Sequence, residues 1–304
     1  MIVAQQVLIL LIFIAIGYAL RKTNFIPSES AGILSKILIY VFCPALTLNT
    51  FINQFKISNL SQNYKVILIS TVIVVLLMIS GKLMSRLFTK DSYVRNVYAY
   101  SFTTANFGYI GYALVQAVYG EEALLTMMVF SIPLTIYTYT EGYRGLVNNK
   151  KISLSTLLNP GIIAIIIGAV IGLSGIPFPA FLTDIFAKAG NCMSPVSMIM
   201  TGIVIADYNL KEVLLEKKAY IVSLISLIGI PAVVCGVLYI LKVPSEIILI
   251  SLMTYAMPCG LNTVVFPKLV NKDCKLGASF AVVSAVLALI TIPFMEYIFN
   301  TIIK

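Results

Sequence analysis

Ten stretches of this chain run for 16 residues or more without a charged side chain: 1–20, 37–55, 66–81, 96–120, 123–140, 152–183, 189–206, 219–241, 247–267 and 276–295. A bilayer span needs about 20 mostly apolar residues. Only 11% of the 304 residues are charged, against roughly 25% in a soluble domain. The fold class expected is therefore an all-α polytopic membrane protein with ten transmembrane helices. The stretches between runs are too short to hold a soluble domain.

The formal net charge of +9 invites a nucleic-acid reading, but the positions of the charges argue for topology instead. With Met1 outside and the spans alternating, the inner loops collect 16 Lys and Arg and the outer segments 5. That split predicts a multi-pass protein of the cytoplasmic (inner) membrane with both termini outside the cytoplasm. The partners expected are then the lipid bilayer and a small solute, with no nucleic acid. The first run lacks a basic leader and a small-residue cleavage site, and Arg21-Lys22 follows it, as suits an uncleaved span.

The ten runs divide five and five, over 1–150 and 151–304. A unit with an odd number of spans enters the membrane from opposite sides in its two copies, so a repeat here is an inverted one. Sliding the chain by 151 positions aligns Ile16-Gly17 with Ile167-Gly168, Pro44 with Pro195, Thr50 with Thr201 and Ile52 with Ile203; sliding by 156 aligns Asn106 with Asn262. The reading is two inverted five-helix repeats, 1–150 and 151–304. Pro44 and Pro195 each sit mid-span, where a missing N–H and a clash with the preceding turn kink a helix. Packing kinks and kinks that open room beside a site are both open readings. Residues 208–220 mix charges and apolar side chains at helical spacing, which fits an amphipathic surface helix or a solvated connecting turn.

Two spans look broken at matching places. The fourth reads Ser101-Phe-Thr-Thr-Ala-Asn106-Phe-Gly108-Tyr-Ile-Gly111, the ninth Tyr255-Ala-Met-Pro258-Cys-Gly260-Leu-Asn262-Thr263. Unwound backbone at membrane depth survives only where protein buries it or it lines a cavity. A pair of Gly/Pro-interrupted spans in corresponding halves points to a transporter's binding site. Gly108, Gly111, Pro258 and Gly260 are the expected helix breakers. At such breaks N–H groups lose their intrahelical partners, and the half-helix N-terminus carries about +0.5 charge. Together they hold an anion without a fixed cation. Asn106 and Asn262 add amide donors and carbonyl acceptors, and Thr104 and Thr263 add hydroxyls. Thr104, Asn106, Phe107, Gly108, Gly260, Asn262 and Thr263 are the expected substrate-binding set.

The other chemistry is sparse. The chain has no histidine, so Ser-His triads and imidazole metal sites are out, and no enzymatic activity or metal centre is expected. The five cysteines show no metal-type spacing. Glu141 and Arg144 suit an i,i+3 ion pair. No carboxylate falls clearly at mid-membrane, so no cofactor is expected; sodium held by carbonyls, Asn and hydroxyls stays open for a coupled variant.

These residues resemble a known family. Ile16-Gly17-Tyr18-Ala-Leu-Arg21-Lys22, Ile39-Tyr40-Val-Phe-Cys-Pro44-Ala45-Leu46, Asn106-Phe-Gly108-Tyr-Ile-Gly111 with Tyr119-Gly120-Glu121-Glu-Ala123, Ala256-Met-Pro258 with Asn262, and Thr291-Ile-Pro293 are similar, in order and spacing, to the auxin efflux carrier family. The resemblance implies a bile acid:sodium symporter-type fold, with the fourth and ninth spans crossing at their breaks and a transport part moving against a scaffold. It implies an organic anion as substrate, an elevator-like mechanism and a homodimer through scaffold helices. A sodium- or proton-coupled symporter of organic acids, and a sensor or channel without transport, are the alternatives. Family members often carry Gly-x-Pro after the fourth-span asparagine; Gly111-Tyr112-Ala113 stands here, which leaves the first break to glycine alone. The long central loop of the plant carriers is reduced to Asn148-Asn-Lys-Lys-Ile-Ser153.

Overall fold

A computed structural model describes residues 2–27, 29–147, 160–268, 270, 272 and 274–303. The central segment 148–153 and the start of the sixth apolar run, 152–159, lie outside the described residues. The described chain is helical, and its one β-type pairing is an isolated antiparallel bridge between Ala105 and Cys259. We number the helices α1 Ile2–Lys22, α2 Ser30–Gln54, α3 Ile57–Phe88, α4 Ser92–Thr103, α5 Phe107–Phe130, α6 132–147, α7 Pro160–Ser174, α8 Ala180–Ala206, α9 Leu210–Leu214, α10 Lys217–Ile240, α11 Ser245–Tyr255, α12 Asn262–Lys268 and α13 Lys275–Ile302. Seven of them (α1, α2, α3, α5, α8, α10, α13) are long and apolar enough to cross a membrane; α7 and α11 are shorter apolar helices.

Large apolar side chains face outward along these helices, as Leu68, Val72, Val75, Leu76, Ile79 and Leu83 do on α3. In water such a surface would aggregate; against acyl chains it is at rest. Between helices the packing relies on small residues, because lipid offers no hydrophobic drive to hold helices together. A Cβ at Gly17 would run into the Ile199 backbone, and one at Gly202 into Ile14 and Tyr18, so α1 and α8 touch main chain to main chain. Gly168 and Gly172 bring α7 close to Leu48 and Phe51 of α2 and to Phe55 just beyond its end. The helices α1, α2, α7 and α8 pack mainly on one another, and α3 on α4, α10 on α13 and α11 on α10 form a second set.

Several spans carry wide π turns: Leu38–Phe42 in α2, Phe107–Gly111 in α5, Thr138–Gly142 in α6 and Ile225–Gly229 in α10. Two of them are followed two residues on by a proline, Pro44 and Pro231. A wider turn moves the carbonyl that the ring would strike, so the helix continues through the proline. In α8 the helical pattern lapses at Cys192, just before Pro195.

The chain leaves helical geometry inside α5 at Gly120, with φ 84 and ψ −173. Residues 107–119 and 121–130 are thus two arms joined at a corner that only glycine occupies without strain. Residues 208–220 do not form a long amphipathic helix. Leu210–Leu214 forms one short helix there, and Glu216 then caps the start of α10 at Lys217 by accepting from the Lys218 N–H at 3.2 Å. Helix starts compete for these residues: Asn209 accepts from the Lys211 N–H and starts α9, and the Glu216 cap restarts the chain seven residues later.

Candidate binding site at two helix breaks

α4 ends at Thr103, and Thr104–Asn106 are not helical; α11 ends at Tyr255, and the chain stays irregular to Leu261. The two interruptions face each other. The Asn106 N–H donates to the Pro258 carbonyl at 2.7 Å, beside the Ala105–Cys259 bridge. Each break thereby satisfies backbone groups of the other, as apolar surroundings require.

The first break falls at Thr104–Asn106, upstream of the expected glycines. Gly108 and Gly111 lie inside the π turn that follows, because the Asn106 carbonyl accepts from both Ile110 and Gly111 at 3.2 Å and restarts the helix at once. Gly111 has a packing duty: a Cβ there would meet Met127 and Met257. Gly108 has open space around it. In the second break Pro258 and Gly260 both sit in the irregular stretch.

A cavity of about 100 Å³ opens beside the breaks. Asn106, Phe107, Gly108, Gly260 and Asn262 line it. Thr104 and Thr263 do not. The Thr263 hydroxyl donates to the Gly260 carbonyl at 2.9 Å and caps the break from within, while the Thr104 hydroxyl is buried without a hydrogen-bond partner among the described residues. Cys43 and Met193, neighbours of the kink prolines Pro44 and Pro195, line the cavity too.

The asparagines are held differently. The Asn262 amide donates to the Tyr100 hydroxyl at 2.9 Å. The Asn106 side chain is 5% exposed and makes no hydrogen bond to the described residues. Its amide borders the cavity together with the first turn of α5, whose N–H groups have no intrahelical acceptor. Tyr109, Tyr112, Thr135, Thr138 and Tyr139 complete much of the wall. Helix-breaker motifs do not reach them, though the run Thr135-Ile-Tyr137-Thr138-Tyr139-Thr140 is a dense polar and aromatic patch within an apolar span. Among the described residues, no three Cys, Asp or Glu side chains gather as a metal site. Glu141 lies off the cavity and pairs with Arg144 at 2.7 Å, with Lys82 at 4.0 Å.

A profile of the family described as membrane transport protein matches residues 2–151 and 144–296. The chain belongs to this family. Its membership bears out the resemblance to the auxin efflux carriers and makes it a membrane-spanning transporter. An uncharacterized transporter of Methanothermobacter thermautotrophicus is 22% identical over 302 residues, covering 95% of this chain and 96% of its own. An uncharacterized transporter of Methanocaldococcus jannaschii is 24% identical over 311 residues, covering 98% and 99%. This transporter is thus similar end to end to proteins named for transport.

Proposed function

We propose that this transporter carries small organic anions, carboxylates foremost, across the cytoplasmic membrane, binding them where its two broken helices meet. The observation that carries the reading is the joining of the breaks by the Asn106 N–H and the Pro258 carbonyl, with both asparagines lining one cavity. A carboxylate placed there would take donors from the Asn106 amide and the α5 first turn, in surroundings that exclude most water.

The same proposal takes the architecture as ten spans in two inverted repeats, 1–150 and 151–304. Gly17 packs on Ile199, and Gly168 packs on Leu48 and Phe51. An offset of 151 exchanges Gly17 with Gly168 and Ile199 with Leu48, so one contact maps onto the other with its halves reversed. Ala105 and Cys259, the bridged pair, are 154 positions apart, between the two offsets that align the halves. A pseudo-twofold axis through the bridge has this property. The α1, α2, α7, α8 set is the candidate scaffold and dimer surface, and the set carrying the breaks is the candidate moving part of an elevator. In chain order the wall residues 39–47, 135–139 and 161–165 fall near the ends of their spans that the positive-inside rule assigns to the cytoplasm.

Among the described residues no charged coupling group lines the cavity, which favours a uniporter. In a cell negative inside, each anionic charge gains about 2.3 kcal/mol per 100 mV on leaving. Charge movement in proteoliposomes on a supported membrane tests this. Addition of carboxylates should give a saturable current that Asn106→Ala removes. A current that requires sodium or a pH step makes the protein a symporter; no current and no carboxylate exchange overturn the reading.

A further inference from the structure

The lining of the cavity shows how much charge a substrate can bring. None of the described residues that line it is Lys, Arg, Asp or Glu. The amide and backbone donors left uncommitted cluster at one spot, the Asn106 amide and the first turn of α5, since Asn262 already gives an amide hydrogen to Tyr100; the Thr138 hydroxyl, buried without a partner among the described residues, adds a neutral donor on the wall. Asn106 is only 5% exposed, and its amide has no partner among the described residues, so an unmet polar group faces the cavity. The walls away from that spot are neutral: Ile39, Cys43, Ile165 and Met193, the threonines Thr47, Thr135 and Thr138, and the tyrosines Tyr112 and Tyr139.

We infer that the site selects singly charged acids over doubly charged ones: a monocarboxylate with an uncharged, partly apolar body. This rests on the anion reading above and narrows it. One carboxylate fits the single donor cluster. A second carboxylate in the same small cavity would meet aliphatic, aromatic and hydroxyl walls, with no cation among the described residues of the lining. A desolvated charge without a partner is strongly disfavoured. The Tyr109 and Tyr139 hydroxyls supply neutral hydrogen bonds, suited to a hydroxyl or carbonyl on the substrate's body rather than to a second full charge.

Size-matched pairs separate the charge from the shape. The full chain in proteoliposomes would be given butyrate against succinate, and benzoate against terephthalate, at pH 7.5, with uptake and mutual inhibition measured. Butyramide serves as the uncharged control. Within the pair that is transported, the monocarboxylate should bind at least tenfold more tightly than its dicarboxylate, and butyramide should inhibit less than butyrate. Ile165→Lys places a cation on the bare wall and should shift preference toward the dicarboxylate. A wild-type protein that takes a dicarboxylate as well as its monocarboxylate partner overturns this inference while leaving anion transport standing. Butyramide taken in preference to both acids, or no uptake of any acid, overturns the anion reading and this inference with it. The wild-type pairs decide the matter even if the Ile165 variant does not fold.

Discussion

The two breaks use the same trick with opposite treatment of their polar groups. At the second, side chains hold the irregular stretch in place. The Ser284 hydroxyl accepts from the Cys259 N–H at 2.9 Å, Thr263 caps the Gly260 carbonyl, and Asn262 is tied to Tyr100. At the first, Ser226 donates to the Ser101 carbonyl at 3.1 Å, but the Asn106 amide at the cavity has no partner among the described residues. Pro258 and Gly260 make the second break obligatory in the chain itself, whereas Thr104–Asn106 contains neither residue. A break written in by proline can serve as a fixed abutment. A break held open by a tertiary bond to that abutment can respond to what binds beside it.

The largest effect should therefore come from the first break. Asn106→Ala should reduce transport of the preferred anion by about ten- to a hundredfold, the loss of a hydrogen bond to a charged group being worth about 1.5–3 kcal/mol. Its melting temperature should stay near that of the parent, since no protein bond is lost. Asn262→Ala should lower both, because Tyr100, fully buried, loses its partner. Equal loss of stability in the two variants would break the contrast between the breaks.

Gly120 comes next. It ends the arm that starts at the first break, and its φ of 84 with ψ of −173 lies in a region closed to side chains. No atom would obstruct a Cβ there, so Gly120→Ala measures the backbone alone. It should cost about 1–3 kcal/mol of stability, read by thermal unfolding in detergent. A neutral result would mean the arm from 107 to 119 is not held at its far end.

Ser284→Ala acts on the second break and should cost about 1–2 kcal/mol by leaving the buried Cys259 N–H unpaired. Transport per folded molecule should change much less than in Asn106→Ala. If Ser284→Ala instead abolished transport while sparing stability, the second break would be the responsive one and the assignment of roles would reverse.

How far the sequence foretold this differs between the two breaks. Charge-free runs and the Asn pair located both interruptions, because an amide side chain flanked by proline or glycine is costly to place in an apolar helix. Pro258 and Gly260 fall inside the irregular stretch they were expected to cause. Gly108 and Gly111 do not, since the first break depends on a hydrogen bond from Asn106 to a carbonyl 152 positions away. No local propensity encodes that contact. The same holds for Tyr100, whose partner Asn262 is 162 positions distant. Thr135, Thr138 and Tyr139 went unread in the sequence, because their place on the cavity wall depends on the turn of α6, widened at Thr138–Gly142.

The smallest effect is expected where a charge pair sits on the surface near the foot of the second break's support. Lys275 begins α13, the helix that carries Ser284, and its ammonium meets the Glu212 carboxylate at 2.5 Å. That hydrogen bond and charge hold the Glu212 carboxyl below the ordinary carboxylate range. The sign follows: a carboxyl depressed in the folded state stabilises at neutral pH, and the contribution is lost as pH falls through its folded pKa. Both side chains are more than half exposed, at 56% and 54%, so solvent screens the pair and salt weakens it further. Glu212→Gln should leave both transport and the neutral-pH melting temperature unchanged within error, and flatten any small loss of stability on acidification. A marked fall in transport would show that the position of α13, and through Ser284 the second break, is set from the surface, and that the abutment moves.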